Sequence, residues 1–229
     1  MLQEAGLGDR VRVGLPAAPP PAGGLGQPGT GSGSWEQDLG LQTSRRVAPQ
    51  GRLIEIGGAP SSGRTALAYR IAAHATARGE PVAWVDLPDA LDPRSLQRAG
   101  VDLGALLWAR PPGLRQALRA VELLLRTGFK LVVTDLEGAS PRALRQLGTA
   151  AWSRLQRPAR EVRATVLLLG DLGVSAPFSS LTLHTEKRRA RFEQGLFEGL
   201  DCTLAVSRQR GGPEGLEYLL RLSQRPAAG

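Results

Sequence analysis

The stretch "GGAPSSGRTAL" (57–67) places Gly58 and Gly63 five positions apart and follows them with Arg64 and Thr65. It sits between a short apolar run, "RLIEIG" (52–57), and an alanine-rich segment, Thr65–Arg78, in which Leu67, Ile71 and Ala75 recur at helical spacing. A glycine-rich turn that leaves a strand and opens a helix is the context in which this spacing signifies a phosphate-binding loop. The glycines let the backbone curl so that successive N–H groups converge on phosphate oxygens, and the helix N-terminus adds favourable potential. Gly58, Ser61, Ser62, Gly63, Arg64 and Thr65 are therefore the candidate nucleotide contacts, with the Thr65 hydroxyl available to a magnesium ion. The plainer alternative is a strand-to-helix turn with no ligand.

Outward from the loop the chain alternates regularly. "PVAWVD" (81–86), "ALLWAR" (105–110), "KLVVTD" (130–135) and "ATVLLLG" (164–170) read as strands. Asp92-Pro93 opens a short helix, Leu114–Thr127 forms a second that Gly128 stops, and Ser140-Pro141 opens a third running through Leu155. Strands separated by helices of this length make right-handed crossovers and a mostly parallel sheet covered on both faces. After residue 178 the pattern changes: "SLTLHTE" (180–186), "DCTLAVS" (201–207) and "LEYLLRL" (216–222) read as strands joined without helices, an antiparallel extension. The expected organisation is a flexible Pro/Gly-rich segment over 1–50, an α/β nucleotide-binding-type core over 51–178, and a strand extension with a tail over 179–229.

Composition narrows the function classes. The chain has 229 residues and no apolar run long enough to span a bilayer, and its N-terminus lacks the basic-then-apolar plan of a signal peptide. A cytoplasmic protein is expected. One cysteine, Cys202, and two histidines, His74 and His184, argue against a disulfide framework or a zinc cluster. The net charge of +8 arises within residues 51–229, because residues 1–50 hold four arginines and four acids. A basic core favours nucleic acid or an acidic partner, or is a solvated basic surface.

The second half of a phosphate-loop site is an aspartate ending an apolar strand, and "KLVVTD" supplies Asp135, which would hold a metal through water. Arg64 departs from the pattern. The usual lysine is a compact charge that reaches terminal phosphates, whereas a guanidinium is longer and planar. Binding can survive that exchange better than positioning for transfer.

"APSSGRTAL" (59–67), the run from "VAWVDLPDALDP" through "AGVDL" to "LLLRTG" (82–128), and "LVVTD" (131–135) resemble, in order, the nucleotide-binding core of bacterial RecA recombinases. "DALDP" followed by "AGVDL" is the specific part of the match. Within that superfamily the chain most resembles the ImuA family, RecA-like accessory proteins of the inducible mutagenesis cassette. The resemblance implies a RecA-like P-loop core and a role in SOS-induced translesion synthesis beside RecA, ImuB and an error-prone DnaE-type polymerase. It also implies that turnover is lost. Where the recombinase holds the glutamate that activates water, this chain has Pro88, with Asp89 beside it pointing elsewhere; where an aromatic ring stacks on adenine, it has Ser95. No catalytic residue is expected, no cofactor is required, and ATP with magnesium remains an option. An ATP-dependent DNA-binding ATPase and an ATP sensor without turnover are the alternatives.

The recombinase's two long DNA loops have short counterparts here, "LEGAS" (136–140) and about ten residues after Gly170, and its N-terminal docking helix has none. Self-polymerisation is therefore not expected, and DNA binding should be weak and non-specific. Arg154, Arg157, Arg160 and Arg163 recur every three residues, and Lys187, Arg188, Arg189 and Arg191 form a second cluster. Both could contact phosphates or acidic partners, or be solvated surface. With only Trp152 and Phe192 near them, stacking platforms are poorly represented. Trp84 and Trp108 lie inside strand patterns and are expected in the core.

Overall fold

The computed structural model describes residues 11–13, 51–170, 178–210 and 215–223. Nine strands form one sheet: β1 (Val11–Val13), β2 (Arg52–Gly57), β3 (Val82–Asp86), β4 (Leu106–Ala109), β5 (Leu131–Asp135), β6 (Thr165–Leu169), β7 (Leu181–Glu193), β8 (Leu196–Gln209) and β9 (Glu217–Ser223). Their order across the sheet is β1-β4-β3-β5-β6-β2-β7-β8-β9. Strands β4 to β7 in that order pair parallel, and β1, β8 and β9 add antiparallel edges.

The helices between these strands are α1 (Arg64–Ala77), α2 (Pro93–Arg98), α3 (Leu114–Arg126), α4 (Pro141–Gln146) and α5 (Gly148–Glu161). Two start where the sequence places a side-chain cap. The Asp92 carboxylate accepts the Arg94 and Ser95 backbone N–H groups, and Ser140 Oγ accepts that of Ala143. Strands β2, β3, β5 and β6 are buried on both faces, which is why they read as continuous apolar runs. Two apolar clusters follow. One joins α1 to the sheet and to β7–β9 through Leu67, Ile71, Trp84, Leu183 and Leu204; the other packs α3 and α5 through Leu125, Trp152 and Leu155.

Three elements differ from the sequence reading. The helix expected over 140–155 is two, because Gly148 takes φ 63, a left-handed conformation that interrupts the hydrogen-bond ladder after α4. The second of them continues past Leu155 to Glu161, carrying Pro158 near its end. The extension is also not wholly antiparallel: β7 joins the core sheet parallel to β2, with Ile54 opposite Leu181, and only then does the chain reverse. Of residues 1–50, only β1 is described, paired antiparallel with β4. The short segment after Gly170, expected to be too brief for a DNA loop, lies mostly outside the described residues.

Candidate functional site: the phosphate-type loop

The loop between β2 and α1 is tied down by its own hydroxyls and by β7. Thr185 Oγ1 donates to the Gly57 carbonyl at 3.1 Å, so the 2.7 Å contact between Ser62 and Thr185 is donated by the Ser62 hydroxyl. Gly58 takes φ 142 and Gly63 takes φ 101. A Cβ on Gly58 would lie 2.4 Å from Ser62 Oγ and 2.5 Å from the Thr185 carbonyl oxygen. A Cβ on Gly63 would meet Leu200, Cys202 and Leu222 at 3.0–3.2 Å. Both glycines are thus required by close approach as well as by conformation. Ser61 is a non-glycine residue at positive φ, 62, which adds local strain to the same turn.

Arg64 begins α1 and is 5 % exposed. Its guanidinium does not point to solvent. Nη1 donates to the Gly58 carbonyl at 2.6 Å and Nη2 to Glu137 Oε2 at 2.5 Å. A carbonyl and a carboxylate therefore hold the cation across the mouth of the loop. A cavity of about 230 Å³ remains there, lined by Gly58, Arg64, Leu136, Glu137, Gly138 and Gly170 among others. Glu137 is the residue of this site that sequence reasoning missed. Its only signal was position: second after the strand-ending aspartate, in a turn that Gly138 (φ 79) closes.

Asp135 ends β5 beside Asp86 on β3, in register across the sheet. Its carboxylate accepts the Glu137 N–H at 3.0 Å, and burial pushes its pKa up to about 6. Asp86 is occupied by structure, accepting from Ala90 N, Leu91 N and Trp108 Nε1 at 3.0–3.1 Å. Trp108 is half-buried and packs against the core from its margin, and the Arg110 guanidinium lies 5.1 Å over its ring. Trp84 is fully buried, as expected.

Beside Pro88, Asp89 takes φ 58 and its carboxylate engages Arg110 in an ion pair. It is turned to that partner. Ser95 donates its hydroxyl to Asp92 at 2.6 Å, completing the cap of α2. Among the described residues no group of three or more histidines, cysteines or acids has metal-binding geometry. Asp135 and Thr65 could still serve a nucleotide-borne magnesium ion, as their residue types allow.

The arginine series is dispersed by the helix. A spacing of three drifts about 60° per step around a helix of 3.6 residues per turn, so Arg154, Arg157 and Arg160 spread around α5, and Arg163 lies beyond its end at φ 53. Arg154 borders a groove with Leu114 and Leu147, Arg157 pairs with Glu161 at 2.9 Å, and Arg160 and Arg163 border a separate concavity with Arg52 and Arg210. On β7, Lys187, Arg188 and Arg189 are exposed, whereas Arg191 turns to Asp201 at 3.0 Å. Trp152 is buried and offers no stacking face. The strand reversal instead brings Phe197 to Phe192, ring centroids 5.8 Å apart, a pair the sequence reading did not make. Within the described residues no helix is long and apolar enough to cross a membrane.

The family model described as the RecA N-terminal domain matches residues 28–145. Protein RecA of Thermus thermophilus is 43 % identical over 114 residues, 49 % of this chain and 33 % of that protein. Protein RecA of Mycobacterium ulcerans is 38 % identical over 139 residues, 60 % of this chain and 36 % of that protein. The chain thus spans about a third of the length of these curated relatives. The crystal structure of the RadB recombinase superposes with a TM-score of 0.58 at 20 % identity, covering 78 % of this chain and 90 % of that one. At that identity the likeness is one of fold.

Proposed function

The chain belongs to the RecA N-terminal domain family, and from that premise we propose that it is an ImuA-type accessory protein without ATP turnover. It acts in the cytoplasm, in SOS-induced translesion DNA synthesis. Its work is done by contacts with RecA and with ImuB and an error-prone DnaE-type polymerase. By docking on a RecA subunit without offering the next docking face, it caps or destabilises RecA filaments, since a head-to-tail assembly grows only when each unit presents both faces.

One observation carries the loss of turnover. The loop's cation is committed to Glu137 and the Gly58 carbonyl, and the Asp89 carboxylate beside Pro88 is committed to Arg110. Phosphoryl transfer depends on a positioned cation and on a group that orients water. Here both side chains are engaged in pairs of their own.

The purified protein should release no phosphate from ATP above background, with or without single-stranded DNA, and Arg64→Lys alone should not restore release. DNA-stimulated hydrolysis by the wild type would overturn this reading in favour of an active ATPase. RecA filament lengths on single-stranded DNA, measured by electron microscopy, should shorten as the ratio of this protein to RecA rises. Unchanged lengths with no detectable binding would remove the capping role.

A further inference from the structure

Glu137 belongs to none of the patterns that identify the loop, yet it holds the side chain that would govern anion binding there. The Arg64 guanidinium has two nitrogens committed, to Gly58 O and to Glu137 Oε2, and its third, Nε, is buried without a hydrogen-bond partner. The side chain is 6 % exposed and borders the cavity at the loop's mouth. Guanidinium recognises carboxylate and phosphate oxygens by the same paired geometry, so a carboxylate can stand where a phosphate would.

We propose that Glu137 is the specificity-determining residue of this loop: its carboxylate is an internal substitute for a ligand phosphate, ordering the loop without nucleotide and excluding polyphosphate from it. The inference rests on the reading of the loop as one that no longer turns over ATP.

The charge balance points the same way. An entering pyrophosphate or triphosphate group meets the Arg64 guanidinium and the Glu137 carboxylate in the cavity, with the Asp135 carboxylate acting on both through the electrostatic field. Without the Glu137 charge the cation has no competing anion at Nη2, and the loop N–H groups and the α1 N-terminus regain their usual role. Glu137 is also placed to act without disrupting the fold. Its side chain is 43 % exposed and it lies in the turn after β5, so its charge can be removed without opening the core.

The test measures binding of sodium pyrophosphate, with and without magnesium, to the full chain by titration calorimetry. Wild type, Glu137→Gln, and Glu137→Gln combined with Arg64→Ala are compared. Glu137→Gln should bind at least about tenfold tighter than wild type, the scale of one charged hydrogen bond, and the double variant should lose that gain. Glu137→Ala carries the same expectation should the glutamine variant fail to fold. Wild type that binds as tightly as the folded Glu137 variants overturns the proposal. Wild type that binds more tightly does so too, because the carboxylate would then be serving the ligand. On the wild type alone, millimolar pyrophosphate should leave the melting temperature unmoved, and a clear rise would count against internal substitution. ATP hydrolysis by the wild type would overturn the accessory reading and leave this affinity comparison to be decided separately.

Discussion

The loop end of the parallel sheet and the β7–β9 extension differ in how they use their residues. Around the loop nearly every side chain is committed: Ser62 to Thr185, Arg64 to Gly58 and Glu137, Asp86 to two backbone N–H groups and Trp108. In the extension the base of the β7–β8 hairpin is buried and its tip is exposed. Leu181, Leu183, Cys202 and Leu204 are buried, while Lys187, Arg188, Arg189, Phe192 and Leu196 are exposed. The two regions meet at Gly63, whose missing side chain makes room for Leu200, Cys202 and Leu222. The buried base of the extension therefore shapes the loop.

The strongest way to break this picture is at the two glycines. Gly58→Ala would drive a Cβ to 2.4 Å from Ser62 Oγ and 2.5 Å from the Thr185 backbone, at a φ of 142. Backbone atoms cannot yield as a side-chain end can, so the loss should reach about 4 kcal/mol or prevent folding. Gly63→Ala meets only side chains, at 3.0–3.2 Å, but at φ 101, and should cost about 2–3 kcal/mol. Urea unfolding of both variants gives the ranking. A mild Gly58→Ala would show that the loop is not pinned by β7.

Leu204→Ala on β8 tests whether the extension's buried face is true core. The side chain is fully buried in the cluster that also holds Ile54 and Leu67, so the substitution should cost about 3 kcal/mol, as in any packed interior. A loss well under 1 kcal/mol would mean that β8 contributes little to the shared core.

The same division decided what the sequence made legible. β2, β3, β5 and β6 are buried on both faces, so their apolar runs have few other readings, and the loop's glycine spacing is imposed by backbone geometry. Arg64 was visible as a departure, but its partner was not. Glu137 reaches it across 73 residues, and no local rule of spacing encodes such a contact. The parallel entry of β7 was hidden for a similar reason. An alternating pattern such as "LTLHT" gives the face of a strand without the direction of its neighbour. Regular spacing from Arg154 to Arg163 did not show how these side chains are arranged: three spread around α5 and the fourth lies past its end.

Asp135 sharpens the comparison through pH. Its folded pKa, about 6, lies above the ordinary carboxylate value, so the folded state binds its proton more tightly than the unfolded chain does. The resulting stability is fully present below about pH 4 and is lost as pH rises through about 6. His74 slopes the opposite way. Burial lowers its pKa to about 4, so its contribution is present above about pH 6.5 and is lost as pH falls toward 4. Asp135→Asn keeps an oxygen for the Glu137 N–H and removes the buried charge. It should raise stability at pH 7 by about 1–2 kcal/mol and leave a profile that climbs from pH 4 to 6.5, read by urea unfolding across that range. A variant that is less stable at pH 7 would show that the ionised carboxylate is needed in the folded protein.

The smallest effect belongs to the extension's tip. Phe192 and Leu196 are 64 % and 66 % exposed, and the Phe192 ring meets Phe197 edge-on beside the turn between β7 and β8. An aromatic pair at an exposed position contributes about 0.5 kcal/mol, because each ring already keeps most of its surface in water. Phe192→Ser together with Leu196→Ser should therefore change the unfolding free energy by no more than about 0.5–1 kcal/mol. If the tip is a contact surface, the same pair of substitutions should weaken capture of the partners proposed above while the melting temperature holds. The two measurements separate the two halves of the comparison. A large loss of stability would place the tip with the committed region, joined to the core by packing that its exposure conceals. Unchanged stability with unchanged capture would leave the tip as solvated surface and move the search for the contact to the basic stretch at Lys187–Arg189.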